Sequence, residues 1–91
     1  MEHVLVIGAA KSGIAAAKLL HRHGYKVTLT DMKEVSAKAE LEAMGISVYD
    51  GGHPETLKEQ NYVFVVKNPG IPYHAPFVKY FVELKTPIYT E

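Results

Sequence analysis

The chain has no cysteine, so neither a disulfide framework nor a thiolate metal site can be built from it, and it fits a reducing compartment. Net charge is also missing. Ten basic and ten acidic residues cancel to a pI near 7.0, which gives no general attraction for nucleic acid or for an anionic membrane surface. Long hydrophobic runs are absent too. The stretch Val4 to Ala10 follows Met1-Glu2-His3 and stops at Lys11, so neither a signal peptide nor a membrane span is expected, and the cytoplasm is the expected location. No repeat, low-complexity segment or linker divides the 91 residues, which are expected to form one domain over 1–91.

Several catalytic constellations are lacking as well. Gly13 is followed by Ile14-Ala15 where a Walker A loop needs lysine and then serine or threonine, so no site for ATP can be assembled. The five histidines do not make a metal set: His21 and His23 are two apart on a predicted helix and diverge, and His3, His53 and His74 are scattered, each expected to be solvated. Ser12, Ser36 and Ser47 have no sequence-local base, and no catalytic residue is nominated.

What is present is an alternation of strands and helices. Val4-Leu5-Val6-Ile7 and Tyr62-Val63-Phe64-Val65-Val66 are apolar at every position, as strands buried on both faces require. Tyr25 to Thr30 alternates apolar and polar residues, and Ile46 to Tyr49 and Pro87 to Tyr89 are short strands. Helices are predicted over Gly13 to His23 with Ser12 as N-cap and Gly24 as stop, and over Ser36 to Met44 closed by Gly45. A short helix is predicted from Pro54 to Lys58, and a last one from Pro76 carrying a Phe77, Phe81, Leu84 stripe. The class is α/β: a Rossmann-like open parallel sheet of five strands in order 3-2-1-4-5, with helices on both faces and a ligand crevice between strands 1 and 4.

Two loops frame that crevice. Gly8-Ala9-Ala10-Lys11-Ser12-Gly13 lies between a strand and a helix, where backbone N–H groups and the helix dipole favour phosphate. Ala10 replaces the middle glycine, and its Cβ crowds the usual path of a dinucleotide pyrophosphate. Lys67-Asn68-Pro69-Gly70-Ile71-Pro72 forms the opposite wall, with Gly70 permitting close approach or a positive φ. Asp31 lies 18 positions beyond Gly13, near the spacing at which a carboxylate takes ribose hydroxyls; with Met32 and Lys33 it could equally read a base edge. Its side chain is read as facing ligand rather than core, so that its removal would spare the fold; the alternative is a turn-forming aspartate at the strand end, whose removal would cost stability.

Together G-A-A-K-S-G, D-M-K, G-G-H-P at 51 to 54 and K-N-P-G-I-P resemble, in order and spacing, the amino-terminal domain of the Mur ligase family, in its UDP-N-acetylmuramoyl-L-alanine:D-glutamate ligase branch. The resemblance covers essentially the whole chain. It implies the UDP-binding part of a three-domain cytoplasmic enzyme of peptidoglycan-precursor synthesis. The substrate would be UDP-N-acetylmuramoyl-L-alanine, while ATP, Mg2+ and D-glutamate would belong to domains absent here, and Tyr89-Thr90-Glu91 would be an internal boundary. Position by position, it implies Lys11, Ser12 and Gly13 for the diphosphate, and Asp31, Met32, Lys33 and Gly70 for uridine. Ala10 and Met32 depart from the family's glycine and hydroxyl residue. The alternative from the fold alone is an NAD-binding regulatory or dehydrogenase-fragment module, or a domain kept for architecture without a ligand.

Overall fold

A computed structural model describes Met1–Glu91. Five strands form one parallel sheet: β1 (His3–Ile7), β2 (Lys26–Thr30), β3 (Ser47–Tyr49), β4 (Phe64–Lys67) and β5 (Ile88–Thr90), in order β3-β2-β1-β4-β5. This is the order the hydrophobic patterning requires. The register pairs Val6 with Leu29 on one side and with Val66 on the other. β1 is thus central, and its uninterrupted apolar run is explained by cover on both faces. Val4 and Val6 enter one core with Val27, Leu29, Ala17 and Leu41, beneath α1 (Lys11–Arg22) and α2 (Lys38–Met44). Leu5 and Ile7 enter the other with Leu57, Val65, Phe77 and Phe81, beneath α3 (Pro76–Glu83) and a 3-10 turn at Glu55–Glu59. Each such buried side chain contributes roughly 1.5–3 kcal/mol relative to exposure, so the four on β1 clamp the two layers to one strand.

The structure corrects several sequence expectations. α1 begins at Lys11 rather than Gly13: Ala10 occupies the N-cap position with no side-chain cap, and Ser12 lies inside the first turn. The reason is the first intrahelical bond, from Ile14 N–H to Ala10 C=O at 3.0 Å. The polar residues of the β2 alternation are buried, Thr28 and Thr30 being only 3% and 0% exposed. Their hydroxyls are satisfied by His3 Nε2 and His53 Nδ1, each at 2.7 Å, which lets a polar residue stand in a buried layer. The expected solvation of these two histidines falls with it. On α3 the buried set is Phe77, Val78 and Phe81, whereas Leu84 follows the last turn and is 58% exposed.

Glycines place the turns that matter. Gly45 ends α2 in the left-handed conformation, at φ +102. Gly8 ends β1 at φ +105, and a Cβ there would lie 2.8 Å from Asn68 Cβ. No larger residue fits where the β1 loop passes the β4 loop.

Candidate functional site

At the carboxyl ends of β1, β2 and β4 the chain leaves the sheet three times, and the three loops enclose a cavity of about 600 Å³. Gly8, Ala9 and Ala10 supply one wall, Asp31 to Glu34 the second, and Asn68, Gly70 and Ile71 the third, with His53 between. This is the switch point of the sheet, where the β1 to α1 and β4 to α3 connections depart on opposite faces.

Hydrogen bonds tie the loops together. Gly8 N–H donates to Thr30 C=O at 2.8 Å, and Asn68 N–H to Ile7 C=O at 3.0 Å. Asp31 does more than face the cavity. Its Oδ2 accepts from Ala9 N–H at 2.7 Å and its Oδ1 from Lys33 N–H at 2.8 Å. The expectation that its removal would spare the fold is therefore revised: one carboxylate fixes its own turn and holds the β1 loop. An ionised carboxylate has about four acceptor positions, so two remain for a ligand.

Of the other uridine candidates, Met32 is 65% exposed, and both it and Lys33 line the cavity. Gly70 lines it also, but its φ is not positive; a Cβ there would meet only Asn68 Oδ1, at 3.3 Å. Asn68 Oδ1 accepts from Gly70 N–H at 2.8 Å and sets that turn. Lys67 is turned away from the cavity. It is 3% exposed, with Nζ 4.4 Å from the Tyr73 ring centroid.

The diphosphate candidates sit differently. Ala9 and Ala10 form the cavity wall, and Lys11, Ser12 and Gly13 follow behind them in the first turn of α1. The N–H groups of these three have no backbone acceptor, since intrahelical bonding starts at Ile14. There is no acidic residue in this first turn, and Lys11 places a cation at the positive end of the helix. An anion is what such an uncapped, lysine-bearing helix start lacks. In the structure a carboxylate comes near it: Glu91 Oε1 accepts from the Ser12 hydroxyl, and Glu91 Oε2 is buried without a donor, close to Gly13.

Sequence reasoning passed over His53. Its ring stacks on Phe77, with centroids 4.5 Å apart and planes inclined by 18°. Burial pushes its pKa below the ordinary imidazole value, with Asp31 acting in the opposite direction. The available signal was its place in G-G-H-P, where a glycine turn and a proline fix the course of the chain.

The chain is similar to known proteins over nearly its whole length. The sequence profile described as "Mur ligase MurD-like, N-terminal domain" matches residues 2–90. Proteins named UDP-N-acetylmuramoylalanine--D-glutamate ligase are 52% identical in Geobacillus sp. (strain WCH70) and 47% identical in Enterococcus hirae, each over 97% of this chain. The chain spans 20% of the length of either relative. The crystal structure of a UDP-N-acetylmuramate-alanine ligase from Thermotoga maritima superposes over 99% of this chain and 20% of its own, with a TM-score of 0.77 at 21% identity, a likeness of fold. A profile match and relatives at this identity, over nearly every residue that builds the three loops, place the chain in the Mur ligase MurD-like N-terminal domain family.

Proposed function

We propose that the cavity holds the UDP part of UDP-N-acetylmuramoyl-L-alanine, and that this chain is the substrate-anchoring domain of an ATP-dependent ligase that adds D-glutamate in peptidoglycan-precursor synthesis in the cytoplasm. The observation that carries this reading is the union of a three-walled cavity with an uncapped helix start carrying Lys11. The diphosphate would lie across Ala9 and Ala10 onto the N–H groups of Lys11, Ser12 and Gly13, with the Ser12 hydroxyl as a further donor. Uridine would lie against Asp31, Met32, Lys33 and Gly70. Because Met32 brings no hydroxyl, polar contact on that wall falls to the free acceptor positions of Asp31 and to backbone.

Magnesium and ATP do not fit the residues of this chain. No lysine and hydroxyl residue follow Gly13, and no three His, Asp or Glu side chains gather to hold a metal ion. In the proposed division of labour, phosphorylation of the alanine carboxylate and attack by the D-glutamate amine take place on other parts of a longer protein. This chain's residues bind and orient the nucleotide end. The pure chain is accordingly expected to form no product with ATP.

Titration with UDP and, separately, NAD, followed by amide NMR shifts, tests the reading. UDP should perturb Ala9 to Gly13, Asp31 to Lys33 and Asn68 to Ile71. NAD binding as tight as UDP would favour a dinucleotide module, and no binding of either would leave an architectural domain.

A further inference from the structure

β2 carries two threonines on the sheet face it shares with Leu5 and Ile7, and each hydroxyl meets one histidine nitrogen. Thr30 is completely buried, and its contact with His53 Nδ1 is the only hydrogen bond its side chain makes. A hydroxyl proton in that position has a single acceptor available, and a buried donor left unmade is costly. The Thr30 hydroxyl therefore donates and Nδ1 accepts. In the neutral ring the proton must then be on Nε2.

The ring is also held in place. Phe77 stacks on it, and Gly52 and Pro54 flank it in the chain. Nε2 makes no hydrogen bond within the protein, yet it is not among the sealed, unsatisfied atoms, so it remains open to solvent. The residue borders the 600 Å³ cavity beside Asp31 and Met32, and also a second cavity of about 530 Å³ lined by Ile7, Ile71 and Phe77. His53 thus stands where the polar wall gives way to an apolar one.

We propose that His53 is a base-reading residue: its Nε2–H donates to O4 of the pyrimidine ring of the bound nucleotide, the edge position where uracil has a carbonyl and cytosine an amino group, and so favours the carbonyl there. This rests on the reading of the cavity as a UDP site. Uracil offers carbonyl oxygens at both edge positions where cytosine offers one carbonyl and one amino group. A donor that Thr30 locks in one tautomer cannot reverse itself to accept from that amino group, and two facing donors repel.

Nitrogen-15 NMR of the imidazole groups, with and without saturating UDP, tests the assignment on the intact chain. The expected result is an Nε2–H tautomer in the free protein whose Nε2 resonance moves on binding. UDP should bind roughly tenfold more tightly than CDP, and His53→Phe should reduce that ratio to about twofold or less. An Nδ1–H tautomer overturns the proposal, as does an Nε2 resonance that stays still while Ala9, Ala10 and Asp31 to Lys33 shift. So does an unchanged UDP to CDP ratio in His53→Phe. If that variant does not fold, the wild-type tautomer and shift decide. Failure of UDP to move any cavity amide overturns the UDP reading itself, a pattern distinct from a silent histidine among moving amides.

Discussion

Gly13→Ala separates packing from ligand binding at the start of α1. A Cβ at this position would lie 2.0 Å from Gly8 C=O oxygen and 3.1 Å from the Gly8 carbonyl carbon. Carbon and oxygen in contact normally lie about 3.3 Å apart, so the helix would have to retreat by about 1.3 Å. The Gly8 carbonyl cannot move instead, because the Gly8 N–H is bonded to Thr30 and its Cα faces Asn68. Retreat would open a gap over Ala17 and Ile14, where a shift of 0.5–1 Å already forfeits about a quarter to a half of each contact's dispersion energy. Overpacking of this kind costs about 3 kcal/mol, at the upper end of the usual range. The better helix propensity of alanine returns at most about 1 kcal/mol. The net loss of about 2 kcal/mol lowers Tm by roughly 8–16 °C in a domain of this size. Thermal melting by circular dichroism measures it. An unchanged or higher Tm would refute the packing argument, and an unchanged Tm with lost UDP affinity would assign Gly13 to ligand contact instead.

Three further outcomes are expected. Asp31→Ala removes the acceptor of the Ala9 and Lys33 N–H groups, so it should lower both UDP affinity, by roughly ten- to a hundredfold, and stability, by about 2 kcal/mol; calorimetry and melting on one sample would contradict this if either stayed at wild type. Glu91→Gln takes a negative charge from beside the α1 start and should tighten UDP binding about fivefold, as for about 1 kcal/mol of repulsion; unaltered or weaker binding counts against an anion seat there. The pKa values of His3 and His53 are both lowered by burial in the folded chain, so the unfolded chain binds more protons on acidification. Their contribution is complete above about pH 6.5–7 and is lost as pH falls through the folded values, and a Tm that stays level from pH 7.5 to 5 would contradict it. Asp50, whose pKa is lowered chiefly by the Val35 N–H, acts in a separate window below about pH 4.

The strand order and the location of the cavity were legible because they depend on patterns that survive in one dimension. Two uninterrupted apolar runs point to β1 and β4, although β4 starts only at Phe64 and Val63 before it is 39% exposed, and glycine after β1 identifies the turn at the switch point. What escaped depends on pairs distant in sequence. The burial of Thr28 and Thr30 was not legible because their partners, His3 and His53, are 25 and 23 residues away. The same separation concealed His53, which looks solvated until Thr30 and Phe77 are brought to it. Ser12 read as an N-cap because its residue type favours that position, yet the Gly8 turn closes soon enough for Ala10 to take it. The dual use of Asp31 was invisible for a related reason: a turn-forming aspartate and a ligand-facing one have the same letter and the same spacing.

That dual use bears on how the cavity could bind at all. A small domain that had to order three loops around a nucleotide would lose much of its interaction energy to that ordering. Here the loops are already joined to one another. Ala9 is held by Asp31, Gly52 N–H donates to Asp31 C=O at 3.1 Å, Gly51 N–H to Lys33 C=O at 3.2 Å, and Asn68 is held by Ile7. Most of these links start at or next to a strand end, so the sheet's register is passed on to the cavity walls. Among the groups left open are ones a nucleotide could use: N–H donors at the α1 start, two acceptor positions on Asp31, and His53 Nε2. A wall that spends its own hydrogen bonds on shape and leaves these few open is preorganised, and a small domain built so would hold the proposed nucleotide without first reorganising itself.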